Sequence, residues 1–169
     1  NNMDSWHRFR EVTQNLPQSH RVFRSSAPNY MGSDDTQRLT ADAVKFLQDK
    51  DINTIMSFNR LPYTDAELDS LSDAGITYRH FPVDDFTSPS LGQLRDAYTF
   101  LLDRPAGSGV LVHCGYGRGR TGTVVTGLQL QFTKGNGPDV SVWAAENGVE
   151  TRGQMEVLTS LRDSLKDEQ

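Results

Sequence analysis

The sequence predicts an α/β fold, a central and mostly parallel sheet of four or five strands with helices on both faces. Three observations predict it. Short runs of β-branched residues alternate with stretches whose apolar residues fall at helical spacing. Two helix starts are marked by capping boxes, Thr64 with Glu67 and Ser90 with Gln93. The run Val110-Leu-Val-His113 is apolar without alternation, as in a strand covered on both sides.

The elements follow in order along the chain. The first clear strand is Arg21 to Ser25, and the turn formers from Ser26 to Asp35 read as a surface loop. Ala43, Val44, Phe46 and Leu47 make a helix of Thr40 to Lys50, and Ile52 to Phe58 is the next strand. The helix opened by Thr64 carries Leu68 and Leu71 and stops at Gly75, ahead of a strand from Ile76 to Val83. The helix opened by Ser90 lines one face with Leu91, Leu94, Ala97, Tyr98, Leu101 and Leu102 and ends before Pro105. After the strand at Val110, helices are expected at Thr123 to about Thr133, near Val140 to Glu146, and from Arg152 to Lys166.

At 169 residues, with 36% hydrophobic residues and 14 Gly, the chain reads as one globular domain over 1–169, its core at about 21–166. A formal charge of -5 and a pI near 5.3 argue against a nucleic-acid partner. One Cys excludes an internal disulfide, and one Cys with four scattered His shows no ligand spacing, so neither metal nor cofactor is expected. No apolar run approaches the roughly 18 residues of a membrane span. Asn1 to Arg10 lacks the apolar stretch of a secretory signal, so a cytoplasmic monomer without a transmembrane segment is the expectation, with a removed targeting segment or delivery into a host left open.

The chemistry concentrates where a buried strand breaks into glycines and then a helix, Val110-Leu-Val-His-Cys-Gly-Tyr-Gly-Arg-Gly-Arg-Thr-Gly122. Gly115, Gly117 and Gly119 allow backbone angles closed to other residues, so the amides of Gly115, Tyr116, Gly117, Arg118 and Gly119 can turn inward as an anion nest. The helix start adds its positive end, and Arg120 can hold two phosphate oxygens bidentately. Cys114 then sits beneath the phosphorus. The same donors favour its thiolate, the nucleophilic form. The bland alternative for a lone cysteine is a small buried hydrophobe. His113 points away from the loop interior and supports its backbone, while Thr121 places a hydroxyl near the sulfur or else caps the helix. A leaving oxygen needs an acid, and Asp84 and Asp85 sit on the loop after the strand at Ile76. Two rival motifs fail. Gly117-x-Gly-x-x-Gly122 formally fits a dinucleotide fingerprint, but no strand follows its helix, and a nucleotide phosphate loop needs a Lys where Arg120 stands.

His113-Cys-x-x-Gly-x-x-Arg-Thr-Gly122 resembles the signature of the cysteine-dependent protein tyrosine phosphatase superfamily at every defined position. The short chain, an acid loop without Trp, and Val22-Phe-Arg-Ser-Ser-Ala-Pro28 are similar to its compact dual-specificity-like branch. That resemblance implies a phosphotyrosine phosphatase-like fold and a cysteinyl-phosphate intermediate. It prefers Asp85, which precedes Phe86, as general acid, with Asp84 as the alternative. It also implies a structural Arg24 and a water-positioning Gln154, against the alternative of an exposed helix residue. The implied substrate is a phosphorylated protein. A phosphoinositide or inositol phosphate is the alternative, because Arg118 resembles a basic position of such relatives while Gly115 lacks the second basic residue. A catalytically idle phospho-binding module is the reading from another class, and it has no need of Cys114, Arg120 and an acid together.

Overall fold

The computed structural model describes residues 5–169. The reading of Asn1 to Arg10 as free of a secretory signal therefore falls in part outside the described residues. All five residues of β5 (Gly109–His113) are buried. The strand runs between β2 (Arg21–Ser25) and β3 (Ile52–Ser57), parallel to both. β4 (Thr77–His80) extends the sheet beyond β3, and β1 (Arg10–Val12) closes the other edge as an antiparallel partner of β2. The order is thus β1-β2-β5-β3-β4.

The alternation of side chains along these strands divides the core in two. Val22, Met56, Val110 and Val112 face one layer, built from α3 (Leu91–Asp103), α4 (Gly119–Phe132), α5 (Val140–Ala145) and α6 (Arg152–Asp167). Phe23, Ile55 and Leu111 face the other, built from α1 (Ala41–Asp49) and α2 (Asp65–Asp73). The expected α/β sheet with helices on both faces is the fold observed. Caps explain where the helices start: Thr40 accepts from the Ala43 amide, and Thr64, Ser90 and Thr151 each open a complete capping box.

Four expectations need correction. The chain before Arg21 contributes both a strand and a core residue, since β1 pairs with β2 and Trp6 is buried. β1 escaped notice because it is three residues long and buries only Val12. β4 stops at His80 rather than Val83, although the Phe81 and Val83 amides still donate to the Ser57 and Asn59 carbonyls at 2.8 and 3.3 Å, so the chain stays beside the end of β3 past Pro82. α4 begins at Gly119, not Thr123, so half of the glycine-rich motif is helix. On α3 only Leu94, Ala97 and Leu101 are buried, and Leu91 and Leu102 are exposed.

Leu111 is wholly buried at the centre of the smaller core. Its replacement by Ala is expected to cost about 2–5 kcal/mol, a lower urea midpoint with an unchanged slope being the measurement.

Candidate active site

The turn from β5 into α4 is short, so the loop from Cys114 to Arg118 must curl tightly. Cys114 is buried, and its Sγ accepts a hydrogen bond from the Gly117 amide at 3.2 Å. The sulfur therefore lies inside the curl. Of the loop glycines only Gly117 has a left-handed backbone, φ +99°, and a Cβ there would also press on the Ser26 amide at 2.6 Å. Gly115 is needed for space instead: a Cβ there would collide with the Asp34 carboxylate, which Arg120 holds in place, whereas a Cβ at Gly119 would meet the end of the exposed Glu150 side chain, which can shift.

Contacts from outside hold the loop. The Ala27 amide donates to the Gly115 carbonyl at 2.8 Å. Arg24, on β2, reaches the loop from behind, its Nη2 donating to the Gly117 carbonyl at 3.2 Å and its Nη1 to Asn147 O at 2.7 Å. This is the structural placing expected of it. His113 donates from Nδ1 to the Cys114 carbonyl at 2.8 Å, because that oxygen can only accept. Nε2 is left as the acceptor for the Tyr63 hydroxyl, also at 2.8 Å. Burial depresses the imidazole to about 4, outweighing the bond to Cys114 O, so the ring is neutral and keeps this tautomer. Burial likewise pushes the Tyr63 hydroxyl well up, and it remains a donor.

Arg120 is almost wholly buried, and its guanidinium is shared out by edges. Nη1 and Nη2 donate to the two oxygens of Asp34 at 2.7 and 2.9 Å, a bidentate pair, and Nη1 also donates to the Val83 carbonyl at 2.9 Å. Asp85 Oδ1 stands 3.2 Å from Nη2. Among the described residues Nε–H makes no hydrogen bond, so the Nε/Nη2 edge beside Asp85 is the one on offer to a tetrahedral anion. Burial disfavours both charges of the Arg120–Asp34 pair, but their mutual hydrogen bonds prevail, raising the arginine and lowering the carboxyl. The Arg60 amide, 2.9 Å from Asp34 Oδ2, adds to the lowering.

Asp34 was missed by the sequence reading. It lies in a single 3-10 turn, Asp34–Thr36, within a stretch taken for a surface loop, yet it is buried. The segment folds over the signature loop because Trp6, Ala27 and Leu39 anchor its flanks. A hint was available in Gly115, where a small residue after the cysteine makes room for a carboxylate.

The acid loop brings Asp85, not Asp84, to the arginine. The Asp84 carbonyl closes a turn with the Thr87 amide at 3.1 Å, and Asp85 accepts from the Phe86 amide at 3.0 Å. Gln154 is buried rather than exposed, which removes that alternative. Its Oε1 accepts from the Glu150 and Thr151 amides, and its Nε2 donates to the Thr87 carbonyl at 3.0 Å, tying α6 to the acid loop. Thr121 lies inside α4 and so is no cap, and its buried hydroxyl makes no hydrogen bond, to sulfur or otherwise, among the described residues. The mouth is a cleft of about 260 Å³ walled by Tyr30, Asp85, Phe86, Tyr116, Arg118 and Glu150. The Tyr30 and Tyr116 rings meet edge to face across it, centroids 6.0 Å apart.

The family described as Tc-R-P, "Polymorphic toxin system, DSP-PTPase phosphatase", matches residues 30–133, more than half of the chain. The chain belongs to this family. It is a phosphatase of the dual-specificity and tyrosine phosphatase type. The Tc-R-P match takes in Asp34, the acid loop and the signature loop, and leaves Arg24 and Gln154 outside. Among solved structures, Tk-PTP in its active form is 26% identical, with a TM-score of 0.61 over 87% of this chain and 93% of that one. PTPMT1 in complex with PI(5)P is 18% identical, with a TM-score of 0.70 over 95% and 97% of the two chains. Human DUSP28 is 19% identical, with a TM-score of 0.60 over 92% and 97%. The last two share the fold. No curated protein matches the chain.

Two outcomes are expected of this Tc-R-P phosphatase. Asp34→Ala strands a buried guanidinium and should cost about 3–5 kcal/mol, read as a lower thermal midpoint. Stability should also fall on acidification. The unfolded His113 takes up its proton near 6.5 and the folded one only near 4, so its contribution is complete above 6.5 and is lost as pH falls to about 4. Urea midpoints between pH 7 and 4 should trace that loss, about 3 kcal/mol at most, and His113→Gln should flatten the profile.

Proposed function

We propose that the chain hydrolyses phosphate monoesters of proteins, phosphotyrosine above all and phosphoserine or phosphothreonine as well, through a cysteinyl-phosphate intermediate. The observation that carries this reading is the placing of the Cys114 sulfur inside a curled loop next to Arg120, in the first turn of α4, whose Nε/Nη2 edge is met only by Asp85 among the described residues. The substrate phosphate takes that edge and the inward amides, displacing Asp85 from Nη2. The thiolate attacks phosphorus, the bond from phosphorus to the ester oxygen breaks, and the Asp85 carboxyl delivers its proton to the leaving oxygen. Water then attacks the cysteinyl phosphate, Asp85 takes up the water proton, and sulfur leaves as thiolate. Asp34 does not touch the substrate. By holding the other edge of Arg120 it aims the guanidinium, and His113 and Arg24 hold the loop that carries the sulfur.

The aromatic mouth supports a phosphorylated phenol. Tyr30, Tyr116 and the exposed Phe86 offer ring faces to an aryl ester. A phosphoinositide is the second reading, which Arg118 at the mouth favours, and the neighbour PTPMT1 is described in complex with PI(5)P. Against it stands Gly115, at a position that is basic in such relatives, where the Asp34 carboxylate leaves no room for a side chain.

Cys114→Ser should abolish turnover while phosphopeptide binding persists, measured by phosphate release and by calorimetry. Asp85→Asn should slow an alkyl phosphate by about a hundredfold or more and Asp84→Asn far less. Release of phosphate by the serine variant would overturn the nucleophile, and the reverse order of the two aspartates would overturn the acid. Turnover of phosphoinositides alone would remove the protein substrate.

A further inference from the structure

The wall of the catalytic cleft does not end at Arg118. On its other side the same arginine lines a second pocket of about 200 Å³ with Arg8, Arg10 and Arg24. In a chain of formal charge -5, four guanidinium groups converge there on the outer side of Gly117, with Glu146 as the one carboxylate on the wall. Their partners are carbonyls: Arg8 Nε donates to Tyr116 O at 2.7 Å, Arg10 Nη2 to Glu146 O at 3.0 Å, and Arg24 Nη1 to Asn147 O at 2.7 Å. Among the described residues no carboxylate forms an ion pair with Arg10, Arg24 or Arg118. Burial first, then repulsion from Arg10 and Arg118, depresses Arg24 to about 10 against the opposing pull of Cys114, which is the mark of positive charge without its counterion.

The shape beyond this pocket indicates what brings the anion. Arg10, Glu146 and Asn147 are shared with a third cavity of about 460 Å³ that follows β1 to Asn15. The cleft, the arginine pocket and this cavity thus adjoin one another, first across Arg118 and then across Arg10, Glu146 and Asn147. A series of adjoining depressions suits an extended polypeptide, which advances about 3.3 Å per residue, better than a compact ring.

We infer that the arginine pocket is a second anion subsite, which receives a carboxylate or phosphate carried by the polypeptide a few residues from the phosphorylated residue in the cleft. The inference rests on the phosphoprotein reading above. Arg10 and Arg118 hold the anion at the rim, and Arg24 ties the subsite to the loop through its bond to Gly117 O. A charged hydrogen bond of this kind is worth about tenfold or more in affinity.

The test compares synthetic peptides that share one phosphotyrosine and differ at a single position, scanned from two to five residues on either side, which holds Gln, Glu or phosphoserine. Release of tyrosine product is followed by absorbance. At one spacing the wild type should turn over the Glu and phosphoserine peptides about tenfold more efficiently than the Gln peptide, through KM. In Arg10→Gln these ratios should fall toward one. In Arg95→Gln, which removes the same charge from α3, both the basal rate and the ratios should be kept. No gain at any spacing, a gain that survives Arg10→Gln, or an equal loss in Arg95→Gln overturns the subsite. An Arg10-dependent gain seen only for a soluble inositol bisphosphate over a monophosphate overturns the polypeptide as its source. Absence of product from every peptide overturns the phosphoprotein reading itself, a result distinct from equal rates on all of them.

Discussion

The site depends on the buried ion pair of Arg120 and Asp34. A guanidinium has two edges able to hold a two-oxygen anion, and in this protein Asp34 occupies one of them for good. Two charges taken out of water are costly unless well paired, and the bidentate contact, the Val83 carbonyl and the Arg60 amide together meet that demand. Arg120 is thereby held still with its second edge exposed to the cup. A free arginine would have to be ordered afresh for every substrate, and the entropy of that ordering would be drawn from binding.

The rest of the architecture serves the same rigidity. β5 delivers Cys114 from the centre of the sheet, where both faces are buried, and α4 leaves at once into the larger core. The loop between them has no slack, and its carbonyls, which would otherwise be orphaned, are taken up by Arg24, His113 and Ala27. The loop that carries Asp85 is held at its two ends. Asp85 and Phe86 are exposed, while Val83 before them and Thr87 after them are tied to Arg120 and Gln154.

Much of this was legible along the chain. The strand runs, two helix starts and the signature from His113 to Gly122 are local features, set by period, capping chemistry and the need for glycine in a tight loop. Local reasoning was less secure about why each glycine is there. Gly117 answers to a backbone angle, but Gly115 answers to the carboxylate of Asp34, remote in sequence. Gln154 illustrates the same gap. Its place in the first turn of α6 was readable, whereas its burial and its hold on Thr87 arise only when α6 packs beside the acid loop.

By itself the sequence determined the class of fold, through its alternating periods, and set Cys114 and Arg120 on one short turn between strand and helix, because they lie in one continuous segment whose spacing is also its geometry. Only the tertiary structure decided that Asp34 completes the arginine, that Asp85 rather than Asp84 faces it, and that Arg8, Arg10, Arg24 and Arg118 share one pocket. Those residues come from five segments far apart in the chain, and what joins them is the stacking of layers on a common sheet. Periodicity reports which face a residue takes within its own element, and carries no information about what another element sets opposite it.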